Sequence, residues 1–190
     1  MNTNDPRYGA YIRVLANHLR PAMGCTEPIA IAYAASLARR ALGTLPERIT
    51  CQTSGNIIKN AQAVTVPNTG GKKGIEAACA AGVIAGNPER ELQVIAEVTD
   101  EQKAALSAYL EKGCISVALK PDARLFDILI EVEGGGHRAS ARIADRHTSV
   151  VEITRDGEPL LYEELSEEYL GENPDEALLN KEGIFEIAQS

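Results

Sequence analysis

Apolar positions recur at helical spacing in the first part of the chain and at alternating positions in the last part, with the change of period at residue 114. Tyr8, Tyr11, Ile12, Leu15 and Leu19 place a helix within residues 7–20, which Pro21 closes and on which His18 is an ordinary member. After Gly24-Cys25-Thr26-Glu27-Pro28 a nearly all-apolar helix runs to Ala41 and Leu42 and stops at Gly43 and Pro46. A helix apolar on every side belongs in the centre of a fold. Residues 48–53 read as a strand, and Val64-Thr65-Val66 as a shorter one before Pro67. A small-residue helix follows over Gly74 to Ala85, ended by Gly86-Asn87-Pro88, with two further helices over 90–98 and 100–112. Cys114–Lys120, Phe126–Glu133, His137–Ile143 and Ser149–Arg155 then read as strands, with turns at Gly134-Gly135-Gly136 and Asp156-Gly157. Helices first and strands later predict an α+β fold: N-terminal helices packed on a mostly antiparallel sheet formed largely by the C-terminal half.

Composition sharpens this outline. The 190 residues are 44% hydrophobic but only 4% aromatic, without Trp, so Ala, Ile, Leu and Val must fill the core and small residues let helices approach closely. No apolar run reaches the ~18 residues of a membrane span, and Met-Asn-Thr-Asn-Asp-Pro has no basic region followed by an apolar stretch, so a cytoplasmic protein is expected. The net charge of −8 is uneven: residues 1–150 carry 17 Lys/Arg and 15 Asp/Glu, whereas residues 151–190 carry 2 and 12. With no basic face and few aromatics, nucleic acid is not an expected partner. We therefore expect an α+β domain over residues 1–160. Residues 161–190 read as an acidic linker or the start of a further helical domain, whose apolar helix Ile184, Phe185 and Ile187 would open.

Cys25, Cys51, Cys79 and Cys114 include no Cys-x-x-Cys pair and no His at metal-finger spacing, so a structural zinc site is not expected. Cys51, Cys79 and Cys114 lie in strand-like or helical runs and read as core residues. Cys25 differs, because Thr26 or Glu27 can cap the apolar helix and Pro28 suits its first turn. The thiol then sits just ahead of a helix N-terminus, where a thiolate is favoured and can act as base, nucleophile or ligand. A second candidate is Ser54-Gly55-Asn56-Ile57-Ile58-Lys59-Asn60 followed by Val64-Thr65-Val66-Pro67-Asn68-Thr69-Gly70-Gly71-Lys72-Lys73-Gly74. A Gly-rich loop that opens a helix offers N–H groups to an anion, and without a P-loop pattern a small carboxylate is the natural guest. The third is Asp145-Arg146-His147-Thr148-Ser149, where His147 can shuttle a proton near neutral pH or bind substrate.

Gly-Cys-Thr-Glu-Pro, then Lys-Asn with Val-Thr-Val-Pro-x-Thr-Gly, then His-Thr-Ser-Val resembles, in order and spacing over residues 10–155, the L-cysteine desulfidase family, related to the iron–sulfur L-serine dehydratase α chain. The resemblance implies α,β-elimination without PLP, in which cysteine yields pyruvate, ammonia and sulfide, or serine yields pyruvate and ammonia. A [4Fe–4S] cluster with an open iron site would act as Lewis acid on the leaving group. The family's base maps onto Cys25. Asn56, Lys59, Asn60, Thr69, His147 and Thr148 become candidates for holding the amino-acid substrate.

Two departures matter. Relatives carry a small residue before His-Thr-Asn, whereas this chain has Arg146 and Ser149 around His147-Thr148. Family members are also longer, with cluster-ligating cysteines in a C-terminal half that this chain does not contain, and Cys51, Cys79 and Cys114 do not match them. The resemblance thus implies the N-terminal portion of a lyase that needs a further half or a second chain, with homo-oligomers compatible. A stand-alone carboxylate-binding or regulatory module without catalysis is the alternative.

Overall fold

The structure is a computed structural model, and it describes residue 5, residues 7–19 and 21–165, and residues 180, 182 and 185. The acidic segment after residue 165, and Ile184 and Ile187 of the expected terminal helix, lie outside the described residues. Two compact units divide the chain, and residues 22–165 form the larger.

In the smaller unit, α1 spans Tyr8–His18. The Asp5 carboxylate starts it by accepting the Arg7 backbone N–H at 2.9 Å. Ala10, Tyr11 and Val14 are buried, whereas Ile12, Leu15 and Leu19 are exposed, so only part of the expected apolar stripe is covered.

The larger unit is the expected α+β fold. Its six-stranded sheet has the order β2-β1-β3-β4-β5-β6, with β1 over Arg48–Thr53, β2 over Ile115–Leu119, β3 over Asp127–Gly134, β4 over His137–Ala144, β5 over Val150–Arg155 and β6 over Glu158–Tyr162. Only β1 and β2 are parallel. One face carries Ile49, Cys51, Ile128, Ile130, Val132, Ala139, Ala141 and Ile143, all buried. Onto it pack α2, Thr26–Leu42, and α4, Gly74–Ala85. Burial of α2 is continuous from Pro28 to Ala38, as its all-round apolar sequence requires. Gly43 ends it in the left-handed conformation at φ +86°. The small-residue pattern of α4 serves close packing: a Cβ on Gly82 would stand 2.2 Å from the Ala32 carbonyl oxygen of α2.

Four local expectations are corrected. Ser54 opens a short helix, α3, over Gly55–Ala61 by accepting the Ile57 N–H at 3.4 Å, where the glycine suggested a loop. Val64–Val66 is no strand, making only an isolated antiparallel bridge between Thr65 and Lys73. The helix expected over 90–98 is a 3-10 segment, Pro88–Gln93, interrupted at Glu91 with φ +46°. Helix α5 then covers Asp100–Glu111 behind a Thr99/Gln102 capping box. The sixth strand follows the Asp156-Gly157 turn, φ +52° and +87°, and extends the sheet by one hairpin beyond the four strands expected after residue 113.

Asp127 knots the end of the sheet. It is buried and accepts two hydrogen bonds from Arg142, at 2.9 and 2.8 Å, with Lys120 at 3.4 Å and the Arg124 N–H at 3.2 Å. Burial pushes its carboxyl up, but Arg142 above all, with the Arg124 N–H and Lys120, holds it below the ordinary carboxylate value. Among the described residues no helix is long and apolar enough to cross a membrane.

Candidate functional site

The site forms where α2 begins. Cys25 is the N-cap residue, extended at φ −62° and ψ 124°, and its side chain does not cap the helix. Thr26 and Glu27, expected as caps, instead occupy the first helical turn. That turn brings the Glu27 carboxylate back towards the cap, where Cys25 Sγ donates a hydrogen bond to Oε2 at 3.2 Å and Thr26 Oγ1 donates one at 3.4 Å. Asn60, on α3, donates from Nδ2 to Oε1 at 3.4 Å. Cys25 is exposed, while Thr26 and Glu27 are partly exposed.

This geometry corrects the expectation of a thiolate. Burial, the hydrogen bond to Glu27 and the Glu27 charge push the Cys25 thiol above its ordinary value, and they outweigh the N–H groups of Glu27 and Thr26 that favour the thiolate. Burial also pulls Glu27 upward, yet the hydrogen bond from Cys25, its own backbone N–H, the charge of His147 and the hydrogen bond from Asn60 hold it below the ordinary carboxylate value. The resting pair is a thiol beside a carboxylate. Sequence reasoning used Glu27 only as a cap. The available signal was its position, since an acidic side chain in a first turn reaches back to the cap residue.

The second and third motifs meet the first here. A Cβ on Gly24 would lie 3.6 Å from Pro67 Cγ, so the Val-Thr-Val-Pro segment runs beside Gly-Cys-Thr-Glu-Pro. His147 lies between β4 and β5, on a loop pinned by the Arg124–Asp145 ion pair at 3.0 Å and by the Asp145 N–H to the Phe126 carbonyl at 2.9 Å. Its ring packs against Phe126 with centroids 4.4 Å apart. Burial lowers its pKa below the ordinary histidine value, and the charge of Glu27 partly restores it. The Nε2 atom is buried without a hydrogen-bond partner. A polar atom hidden from water and left unpaired is a place for a ligand group.

The other candidates stand apart. Asn56 and Lys59 share a face of α3 with Asn60 by helical spacing, but Asn56 lines a separate cavity of about 350 Å³ with Lys120 and Arg124, and Lys59 is simply exposed. Thr148 is half-buried, and its carbonyl accepts the Val150 N–H at 3.1 Å. Thr69 is a correction: it is 1% exposed and its hydroxyl donates to the Val66 carbonyl at 2.7 Å, holding the Gly-rich loop in shape instead of facing a guest.

An iron–sulfur cluster does not fit these residues. Cys51 of β1 and Cys79 of α4 are buried against each other, and Cys114 lies beside Tyr109. Among the described residues no three His, Cys, Asp or Glu side chains are grouped to hold a metal ion.

No protein-family model and no solved structure matches the chain. Among curated proteins it is 43% identical to a UPF0597 protein of Desulfitobacterium hafniense and 37% identical to one of Treponema denticola, in both cases over all of this chain and 44% of the relative. It is 41% identical to a UPF0597 protein of Finegoldia magna, over 95% of this chain and 43% of the relative. The chain thus spans less than half the length of these relatives, and along its own length, acidic end included, it is similar to UPF0597 proteins.

Proposed function

We propose that this chain carries the proton-transfer portion of a cytoplasmic α,β-eliminating lyase acting on L-cysteine or L-serine. The observation that supports it is the exposed Cys25 thiol held by Glu27 at the start of α2, with His147 acting on Glu27 through its charge. In this reading the exposed Cys25 loses its thiol proton to solvent and, as thiolate, takes the α-proton of the substrate, which returns it to the thiol. The electron pair of that C–H bond forms the Cα–Cβ double bond as the β-substituent leaves with its bonding pair as sulfide or hydroxide; the enamine tautomerises to the imine, which one water hydrolyses to pyruvate and ammonia. His147, largely neutral at pH 7 because burial disfavours its charge, offers Nε2 to the substrate. Exposure of Cys25, against the burial of Cys51 and Cys79, leaves it free to reach a small molecule.

A [4Fe–4S] cluster, implied by the resemblance to the L-cysteine desulfidase family, supplies Lewis-acid chemistry at a leaving group when bound. The residues described here do not fit it, and no step of this proposal runs through it. Its ligands belong to sequence beyond this chain, consistent with relatives more than twice as long.

The test is anaerobic reconstitution of the longest reading frame containing this sequence, followed by sulfide release from L-cysteine and ammonia release from L-serine. Activity with either substrate that falls by about 100-fold or more in Cys25→Ser supports a base at this position. Full activity in that variant removes Cys25 from the mechanism. A reconstituted protein inert with both substrates rejects the lyase and favours a carboxylate-binding module.

A further inference from the structure

Among the described residues the Glu27 carboxylate has no Lys or Arg partner. It is partly buried in the first turn of α2, and among the described residues its oxygens accept from neutral donors: Cys25 Sγ at 3.2 Å, Thr26 Oγ1 at 3.4 Å and Asn60 Nδ2 at 3.4 Å. Among the described residues no Lys or Arg pairs with it, although Arg142, Arg124, Arg40 and Arg90 all hold carboxylates elsewhere in the molecule. Among the described residues the titratable group that acts on it besides Cys25 is His147, whose positive form burial disfavours. The contacts from Thr26 and Asn60 lie beyond the usual hydrogen-bond range, so a stronger donor can replace them at little loss. His147, whose buried Nε2 has no hydrogen-bond partner, acts on Glu27 through its charge.

We propose that Glu27 is the receptor for a primary ammonium group, so that the site selects ligands carrying an α-amino cation within reach of Cys25. This rests on the lyase reading above and names which end of the substrate is held, and by what. An ammonium has three donors and no acceptor, which matches a partly exposed carboxylate that accepts from neutral donors at both oxygens. Its arrival also neutralises the charge that keeps the Cys25 thiol protonated. The base therefore becomes easier to ionise once a correctly charged ligand is seated.

The experiment measures binding of L-serine and of 3-hydroxypropionate, which lacks the amino group, to the longest reading frame containing this sequence and to its Glu27→Gln variant, by chemical-shift titration. Glu27→Gln keeps the size of the side chain and an oxygen that can accept from Cys25 and Asn60; an unchanged melting temperature establishes that it folds. L-Serine is expected to bind the native chain and to weaken by about 10- to 100-fold in Glu27→Gln, the range of a charged hydrogen bond. 3-Hydroxypropionate is expected to bind the native chain weakly and to be insensitive to the substitution. Equal binding of L-serine by both proteins, or equal binding of the two ligands by the native chain, overturns the ammonium receptor and leaves the lyase reading to the sulfide and ammonia assays. Failure of the native chain to bind L-serine or L-cysteine at all overturns the receptor and counts against the lyase with it.

Discussion

A full charge one hydrogen bond away outweighs the half charge spread over a helix end, and at Cys25 the two have opposite signs. The helix N-terminus favours a thiolate, the Glu27 carboxylate 3.2 Å from Sγ favours the thiol, and the thiol prevails. Replacing Glu27 by Gln removes the charge and keeps an acceptor, so the Cys25 pKa falls. In the pH profile of iodoacetamide labelling, the curve moves to lower pH, and at a fixed pH below the midpoint the rate rises about tenfold for each pKa unit lost. An unmoved profile would show that Glu27 does not control the thiol. His147 gives an independent reading of the same charge. Its NMR titration midpoint lies below the ordinary histidine value because burial dominates, and Glu27→Gln drives it lower still, since the Glu27 charge is what raises it. At this scale the sequence was legible in position and illegible in sign. Placing Cys25 at the start of a helix follows from local rules, but which carboxylate faces the thiol depends on how the first turn and its neighbours are arranged.

Helix α2 joins the site to the core, since its first turn carries Glu27 and its body packs on α4 and the sheet. Gly82 is where that packing is tightest. Gly82→Ala places a methyl against the Ala32 carbonyl, a backbone atom that cannot rotate away, so the two helices must separate. The loss expected in urea unfolding is about 1–3 kcal/mol, and a variant as stable as the native chain would mean that α2 and α4 are less closely seated. The strand ends meet at Asp127, with Arg142 of β4 and Lys120 beyond β2 around it. Its carboxyl is lowered in the folded state, so its stabilisation is fully present above the unfolded value of about 3.9 and is lost as pH falls through the folded value. Asp127→Asn is expected to lower stability at pH 7 by about 3–5 kcal/mol, because Arg142 is left half-buried without its partner. It is also expected to flatten the acid limb of the stability profile below pH ~4, which urea midpoints across pH measure directly. The strands of this sheet were readable from alternation, as in Asp127–Gly134 with Ile128, Ile130 and Val132 turned inward. The α3 helix and β6 were not, because seven residues opened by Ser-Gly and five residues in an acidic stretch carry little period of their own.

For the whole molecule the governing fact is length: this chain covers 44% of its Desulfitobacterium and Treponema relatives and holds no grouped metal ligands among its described residues. The 190-residue chain purified anaerobically is therefore expected to show no iron–sulfur absorption, read as the spectrum between 350 and 450 nm together with iron and acid-labile sulfide. A brown protein with stoichiometric iron would place cluster ligands among these residues after all. Taken alone, the sequence determined the elements whose patterns are local: the central burial of α2, the small-residue α4, the alternating strands and the tight turns at Gly135-Gly136 and Asp156-Gly157. It also singled out three motifs able to carry chemistry. Only the tertiary structure decided that β1 runs parallel to β2 and antiparallel to β3, that Asn60 donates to Glu27 and His147 acts on it through its charge while Asn56 lines another cavity, and that Thr69 is spent within its own loop. The physical reason is that periodicity records which face of an element is buried, whereas the meeting of side chains far apart in sequence is fixed by how those faces pack.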